Sequence, residues 1–203
     1  MGSQWSRDSA YMRARGEGYR SRAVYKIKEI QDKFHVIRED DNVVDLGAAP
    51  GSWLQVVRTM TNGIVIGVDL SPIPPIDNVT TIAGDLTDPD VQEEVRKLAG
   101  GVVSVVVCDA APKLSGAKSY DQARAIDLGL EAVGFAVRVL KPGGNFVIKS
   151  FRGEDFPLLQ KELETHFRSV RVFETTASRK GSTEAYLIAK NFRGFFNDPQ
   201  GHL

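Results

Sequence analysis

The fold of this chain is decided by one stretch of its sequence, Val43-Val44-Asp45-Leu46-Gly47-Ala48-Ala49-Pro50-Gly51-Ser52-Trp53. It reads as a buried strand, a turn of small residues and the first turn of a helix. Glycines let the backbone approach a ligand closely, and such a turn lies at the carboxyl edge of a parallel sheet. The spacing differs from the G-x-G-x-x-G pattern, so it does not indicate a dinucleotide phosphate cradle. Asp45, inside the strand, can organise the glycine loop and attract the cationic end of a ligand.

Short apolar, β-branched runs alternate with helical patterns on both sides of this stretch. Such alternation predicts an α/β fold with a mostly parallel sheet. We expect a single Rossmann-like domain with a seven-stranded sheet, helices on both faces and an antiparallel final hairpin. The predicted helices are 21–34, 52–60, one starting at 88, 120–140 and 157–166, and the predicted strands are 42–46, 64–69, 79–83, 102–108, 145–150, 170–174 and 185–190.

Several residues set the expected ends of these elements. Ser21 can cap the helix at 21–34, and Asp88 with Pro89 can begin another helix as N-cap and first-turn proline. The run Lys-Pro-Gly-Gly at 141–144 is expected to end the long helix. The single cysteine, Cys108, lies in an apolar run, so we expect a buried strand thiol and no disulfide within the chain.

The charge is balanced overall, with 26 basic and 26 acidic residues, but not evenly distributed. Residues 1–30 hold seven basic and three acidic side chains, a local excess of four. We divide the chain into a basic arm at 1–20, a domain at 21–193 and a tail at 194–203. Basic side chains can position an RNA by its phosphates, and tyrosines can stack on its bases. The candidates are Arg13, Arg15, Arg20, Arg22, Arg179 and Lys180 for phosphates, and Tyr11 and Tyr19 for bases.

Apolar segments are too short to span a bilayer, and the polar, Arg-rich first residues lack the apolar core of a secretory signal. We therefore expect a cytoplasmic protein without membrane association, and a monomer. The three histidines, His35, His166 and His202, are scattered, and with one cysteine they give no metal-ligand spacing. No metal site is expected.

Three further carboxylates follow or end predicted strands. Asp69 ends the second strand, where it can accept both ribose hydroxyls of an adenosine. Asp85 follows the third strand and can accept an adenine amino group, and Asp109 ends the fourth. Together with Asp45, these acids converge on one sheet edge. Because the methionine part of S-adenosylmethionine carries an ammonium and a sulfonium, the set predicts a site for that cofactor.

The motif at 45–53 is similar to the cofactor motif of the FtsJ/RrmJ group of ribose 2′-O-methyltransferases, with Ser52 where many members have a second glycine. The likeness extends from Ser21-Arg22-Ala23-Val24-Tyr25-Lys26 to Glu184-Ala185-Tyr186, through the segments 109–116, 147–151 and 178–184. The resemblance implies a class I methyltransferase that binds S-adenosylmethionine and methylates ribosomal RNA, with a uridine ribose of the large subunit as target. It places cofactor contacts on Gly51, Trp53, Asp69, Asp85 and Asp109, to which the motif itself adds Asp45 and Gly47. It also places a Lys-Asp-Lys-Glu tetrad on Lys26, Asp109, Lys149 and Glu184.

Simple chemistry accounts for such a tetrad. A ribose hydroxyl is a poor nucleophile until its proton is removed, so the enzyme must supply a base and align the reactants. A second lysine nearby and partial burial disfavour the charged form of an amine, whereas carboxylates favour it. Lys149 is the candidate base, Lys26 its neighbour and a ligand for hydroxyl or phosphate, and Asp109 and Glu184 orient the two amines.

Two other functions stay open from the sequence alone. The first is the same chemistry on a transfer RNA or an mRNA cap, since nothing in the chain reads RNA sequence. The second is a non-catalytic RNA-binding assembly factor with the same fold, which would have no need for paired lysines with two acids. A dehydrogenase is disfavoured by the absence of G-x-G-x-x-G.

Overall fold

The computed structural model describes residues 9–112, 115–178 and 181–194. Over these residues the chain alternates between helices and strands. The helices are α1 (Ser9–Gly16), α2 (Val24–Phe34), α3 (Ser52–Met60), α4 (Pro89–Leu98), α5 (Lys118–Val139) and α6 (Phe156–His166). The strands are β1 (Val43–Leu46), β2 (Val65–Asp69), β3 (Thr80–Ala83), β4 (Val103–Cys108), β5 (Leu140–Phe151), β6 (Phe167–Phe173) and β7 (Glu184–Phe192).

The strands form one seven-stranded sheet in the order β3-β2-β1-β4-β5-β7-β6. Strands β1 to β5 pair in parallel, and β7 pairs antiparallel with both β5 and β6. The predicted α/β fold, with a mostly parallel sheet and an antiparallel ending, is therefore confirmed. The parallel order places the carboxyl ends of β1, β2, β4 and β5 at one edge, where ligands bind in open α/β sheets.

Each face of the sheet is covered by its own apolar core. Neighbouring strand residues point to opposite faces, so Val44 and Leu46 pack with residues of α4, α5 and α6. Val43 points the other way, into a core that includes Val24 of α2 and Leu54 of α3. Asp45 shares the face of Val43 by the same alternation. A carboxylate is thereby held on an apolar face close to the glycine turn.

The long helix and its exit differ from the prediction. α5 ends at Val139, and β5 begins directly at Leu140 and continues to Phe151. The run at 141–144 thus belongs to the strand instead of forming a separate turn. The pairing of β4 with β5 shifts register between Val103 and Val105, which accommodates these extra residues.

The helix predicted at 21–34 begins later, at Val24, with Ala23 rather than Ser21 as its N-cap. Ser21 Oγ still accepts a hydrogen bond from the Ala23 amide at 3.2 Å, but it serves the turn before the helix. The start of α4 is as predicted: the Asp88 side chain accepts from the Asp90 amide, with Pro89 in the first turn.

Part of the predicted basic arm is folded. Residues Ser9–Gly16 form α1, and Ala14 is fully buried in the core shared with α2 and α3. Among the described residues no helix combines the length and apolarity needed to cross a bilayer. Cys108 is buried, as expected for a strand thiol, and burial raises its pKa to about 12.

Candidate active site

A small pocket opens at the carboxyl edge of the sheet, beside the glycine turn. Its walls come from the segment before α2, the end of β1, the turn itself, the start of α3 and the residue after β4. The lining residues are Ser21, Ala23, Asp45, Gly47, Ala48, Ala49, Pro50, Ser52, Trp53 and Asp109. Four residues predicted for the cofactor, Asp45, Gly47, Trp53 and Asp109, therefore meet here.

Gly47 fits this turn for steric reasons. Its φ is 71°, a left-handed conformation that side chains disfavour, and a Cβ atom there would lie 2.6 Å from the Cα of Ala110. Because that neighbour is backbone, the contact cannot be relieved by a rotamer change. The turn can pass close under the residue after Asp109 only when position 47 has no side chain.

Asp45 is buried beside the pocket without a hydrogen-bond partner in the described part of the chain. Its side chain is 1% exposed, and neither carboxylate oxygen accepts a hydrogen bond from any described residue. Burial, with the negative charges of Asp109 and Asp69, raises its pKa well above the ordinary value. A buried, unpaired carboxylate is costly, so the site is suited to a cation that arrives with a ligand. The ammonium of S-adenosylmethionine has the required charge and donors.

The other two predicted cofactor acids are placed differently. Asp69 joins two loops, because its oxygens accept from the amides of Ala49 at 3.0 Å and Ser71 at 2.8 Å. Asp85 is exposed, and its Oδ1 accepts from the amide and hydroxyl of Thr87, each at 2.9 Å. Neither lines the small pocket, and Asp85 belongs to a local turn.

The four tetrad residues form two ion pairs. Lys26 Nζ of α2 lies 2.7 Å and 2.8 Å from the two carboxylate oxygens of Glu184 at the start of β7. Lys149 Nζ of β5 lies 3.1 Å from Asp109 Oδ1 and also donates to the backbone carbonyl of Asp109. All four side chains are less than 20% exposed. The structure therefore brings the whole predicted tetrad to one place.

Tyr186 joins the two pairs, and sequence reasoning gave it no role. It is fully buried, its ring lies 5.8 Å from Lys26 Nζ, and its hydroxyl donates to Asp109 Oδ1 at 2.9 Å. Burial and the charges of Asp109 and Glu184 raise its pKa well above the ordinary value, so it stays a neutral donor. A signal was available: Tyr186 shares the strand face of Glu184, two residues away, and is the register partner of Lys149.

Glu184 is held by a second donor outside the tetrad. Ser178 Oγ donates to Glu184 Oε1 at 2.6 Å and lies 2.9 Å from Thr175 Oγ1. Burial raises the pKa of Glu184, but the hydrogen bonds from Lys26 and Ser178 and the two lysine charges outweigh it, and the net pKa is lowered. The carboxylate is therefore kept ionised and fixed in orientation.

Several residues predicted to contact RNA make contacts with other residues of this chain. The Arg13 guanidinium lies 3.9 Å from the centre of the Tyr25 ring, and the Tyr19 hydroxyl accepts from Lys28 Nζ at 2.9 Å. Arg20 contacts backbone carbonyls near the pocket. Arg179 and Lys180 lie outside the described residues. Within the described ranges, no group of three or more His, Cys, Asp or Glu side chains could hold a metal ion.

The chain is similar to known proteins over nearly its whole length. A profile of the FtsJ-like methyltransferase family matches residues 19–192. Proteins named Ribosomal RNA large subunit methyltransferase E are 66% identical in Methanoculleus marisnigri and 60% identical in Methanosphaerula palustris, each covering all of both chains. A Plasmodium falciparum structure assigned as a ribosomal RNA methyltransferase has a TM-score of 0.79 at 27% identity, covering 87% of this chain and 100% of that one. With a family match across these residues and relatives this similar, the chain belongs to the FtsJ-like methyltransferase family.

Proposed function

We propose that this protein transfers a methyl group from S-adenosylmethionine to the 2′-hydroxyl of a ribose, that of a uridine, in large-subunit ribosomal RNA. One observation carries the proposal: two partly buried lysine–carboxylate pairs adjoin a pocket that contains a buried carboxylate with no hydrogen-bond partner among the described residues. The names of the relatives, which state methylation of large-subunit RNA, support the choice of substrate.

The pocket residues fit the cofactor by their chemistry. Asp45 would hold the ammonium group, and the turn at Gly47 allows the backbone to lie against the ligand. Asp69 lies at the end of β2, the position at which an acid can hold ribose hydroxyls. When bound, S-adenosylmethionine supplies a methyl group that is already activated by its positively charged sulfur.

The residues of the tetrad would remove the proton of the ribose 2′-hydroxyl and position that hydroxyl. Lys149 Nζ, in its neutral form, takes the proton of the 2′-hydroxyl, and Asp109 then stabilises the ammonium that results. Lys26, held by Glu184, donates a hydrogen bond to the hydroxyl oxygen or to an adjacent phosphate. Tyr186 keeps Asp109 in place through its hydroxyl. The amine that removes the proton and the amine that binds the substrate are thus positioned by separate carboxylates.

The test is transfer of labelled methyl groups from S-adenosylmethionine to large-subunit RNA, supplied as naked RNA and as assembled subunits. A 2′-O-methyl group protects the adjacent linkage from alkali, so alkaline hydrolysis locates the product, which we expect at one uridine. Lys149→Ala is expected to lower the rate by about 10²- to 10⁴-fold, the usual contribution of a general base, with cofactor binding retained.

Lys141→Ala is the matched control, because Lys141 lies on the same strand but is 48% exposed and far from the tetrad in the register of β5. Its activity should equal that of the wild type. If only transfer RNA or a capped mRNA became labelled, that RNA and not ribosomal RNA would be the substrate. Failure to bind S-adenosylmethionine would overturn the proposal, as would full activity of Lys149→Ala.

A further inference from the structure

Residues 18–23, which precede α2, form a strap that is fastened to the first turns of α3. Gln55 of α3 accepts from the Arg20 amide at 3.0 Å and donates to the Gly18 carbonyl at 3.1 Å. Ser52 Oγ donates to Ser21 Oγ at 2.7 Å, and Trp53 Nε1 donates to the Ala23 carbonyl at 2.9 Å. Since two strap residues also line the pocket, the strap forms one of its walls.

The side chain of Arg20, a residue of the strap, forms hydrogen bonds to two separate loops. Its Nη1 atom donates to the carbonyls of Pro50, at 2.7 Å, and Pro74, at 2.9 Å, and Nη2 donates to the carbonyl of Pro75 at 2.9 Å. Pro50 belongs to the glycine turn after β1, whereas Pro74 and Pro75 lie in the loop after β2. One guanidinium therefore joins the glycine turn, which lines the pocket, to the loop that follows β2.

These two loops also share Asp69, whose carboxylate accepts from amides in both. The loops are therefore joined from two sides, by Asp69 through amides and by Arg20 through carbonyls. Gly51 adds a steric link, because a Cβ atom there would lie 2.6 Å from Arg20 Nη1. The guanidinium is packed against the turn and is not extended into solvent.

We infer that Arg20 is a positioning residue for cofactor binding, which holds the turn after β1 and the loop after β2 at the separation that S-adenosylmethionine requires. The inference rests on the proposed function and deepens it. A guanidinium suits this task because its donors are fixed in a plane and can reach several acceptors at once. A lysine at this position would keep the charge but could not hold the three carbonyls in the same arrangement.

The experiment measures binding of S-adenosylmethionine by calorimetry, without RNA, to the wild type, Arg20→Ala, Arg20→Lys and Arg15→Ala. Arg15 is the control, since it is an exposed arginine of α1 in the same basic segment. We expect Kd to rise about tenfold in Arg20→Ala, near the lower end of the effect of one lost charged hydrogen bond because Arg20 acts only through the loops, and nearly as much in Arg20→Lys. Arg15→Ala should bind as the wild type does.

Kinetics separate positioning from a general structural role. At saturating S-adenosylmethionine, Arg20→Ala should recover near wild-type kcat, with the defect confined to the KM for the cofactor. Equal cofactor affinity in the wild type and both Arg20 variants overturns the inference and leaves the proposed function standing. The inference is also overturned if Arg20→Ala raises only the KM for RNA, as Arg15→Ala would. That result would indicate that Arg20 contacts phosphates of the RNA. If Arg20→Ala does not fold, Arg20→Lys decides between these outcomes. A wild type that does not bind S-adenosylmethionine overturns both proposals.

Discussion

The site has two halves, the tetrad and the small pocket beside the glycine turn, and they differ in how their carboxylates are paired. In the tetrad, Glu184 lies against Lys26 and Asp109 against Lys149, and both acids accept further hydrogen bonds from Ser178 and Tyr186. In the pocket, a few residues away along the same edge, Asp45 is buried with both oxygens unpaired. Burial of an ion is costly unless it is paired, so only the first arrangement is complete within the protein.

The two halves of the site differ in how much of each is formed before a ligand binds. The tetrad holds its amines and carboxylates in fixed positions before any substrate arrives, as preorganised catalysis requires. The pocket instead holds a carboxyl group whose negative form is not paired by any described residue, so its ionisation is costly. A cationic ligand would relieve that cost on binding, so part of its affinity would come from the instability of the empty pocket.

Among the variants that distinguish the two halves, Asp45→Asn should have the largest effect, because it removes the unpaired carboxylate from the pocket. Loss of the carboxylate should weaken S-adenosylmethionine binding by about a hundredfold, the order of a lost charged hydrogen bond. The ligand-free variant should be at least as resistant to urea as the wild type, since a buried negative charge next to Asp109 and Asp69 is gone. Calorimetry and urea unfolding measure the two quantities.

Asp77→Asn, at an exposed acid, serves as the control and should change neither measurement. If Asp45→Asn destabilised the ligand-free protein as strongly as a lost ion pair does, Asp45 would have a partner within the fold. The contrast between the two halves would then be wrong.

A smaller effect is expected from Tyr186→Phe, which weakens the paired half without removing a charge. The hydroxyl that donates to Asp109 is lost, and the ring that packs 5.9 Å from Trp53 is kept. We expect kcat to fall about fivefold, the order of one hydrogen bond. Cofactor affinity should stay close to that of the wild type.

Tyr120→Phe is the matched control, since Tyr120 is 57% exposed and lies on α5, which carries no residue of the tetrad. An unchanged kcat in Tyr186→Phe would show that Lys149 alone suffices to hold Asp109. A large loss of cofactor affinity would instead show that Tyr186 supports the cofactor pocket as well as the tetrad.

The smallest effect is a difference in pH dependence, with opposite signs in the two halves. The pKa of Asp45 is raised in the folded state, so its contribution to the free energy of unfolding is lost as pH rises above 3.8 toward its folded pKa. The pKa of Glu184 is lowered, so its contribution is present above 4.5 and lost as pH falls through its folded pKa. Each tenfold difference in proton affinity is worth about 1.4 kcal/mol.

Urea unfolding of the ligand-free wild type, Asp45→Asn and Glu184→Gln between about pH 3 and pH 8 separates these contributions, since that of Glu184 changes at the acid end of the range. Asp45→Asn should gain stability relative to the wild type as pH rises. Glu184→Gln should lose stability relative to the wild type over the same rise. Parallel curves for the three proteins would contradict the assignment of opposite pKa shifts.

The sequence predicted the sheet because its strands are local patterns. Apolar runs such as 43–46 and 103–108 are continuous, and each acid of the site stands at a fixed place relative to its strand. The tetrad could be named because the resemblance supplied the residues. The bounds of β5 were missed, since a Pro-Gly-Gly run is typical of a turn and only the pairing with β4 makes it part of a strand.

The contacts of the strap could not be predicted, for a different reason. Arg20 reads as one more basic residue in a basic segment, and the sequence gives no sign that three proline carbonyls lie around it. Those carbonyls are 30 to 55 residues away along the chain. Ser52, a departure from the common glycine, likewise gains its meaning only from Ser21 across the turn.

The position of β7 between β5 and β6 has a consequence for protein synthesis. Lys26 and Glu184 are separated by 158 residues, and Glu184 and Tyr186 are both on β7. A ribosome exposes Lys26 long before it makes the strand that must enter between two earlier ones. A nascent chain therefore has no assembled Lys26–Glu184 pair, and no Tyr186 beside Asp109, until β7 has emerged.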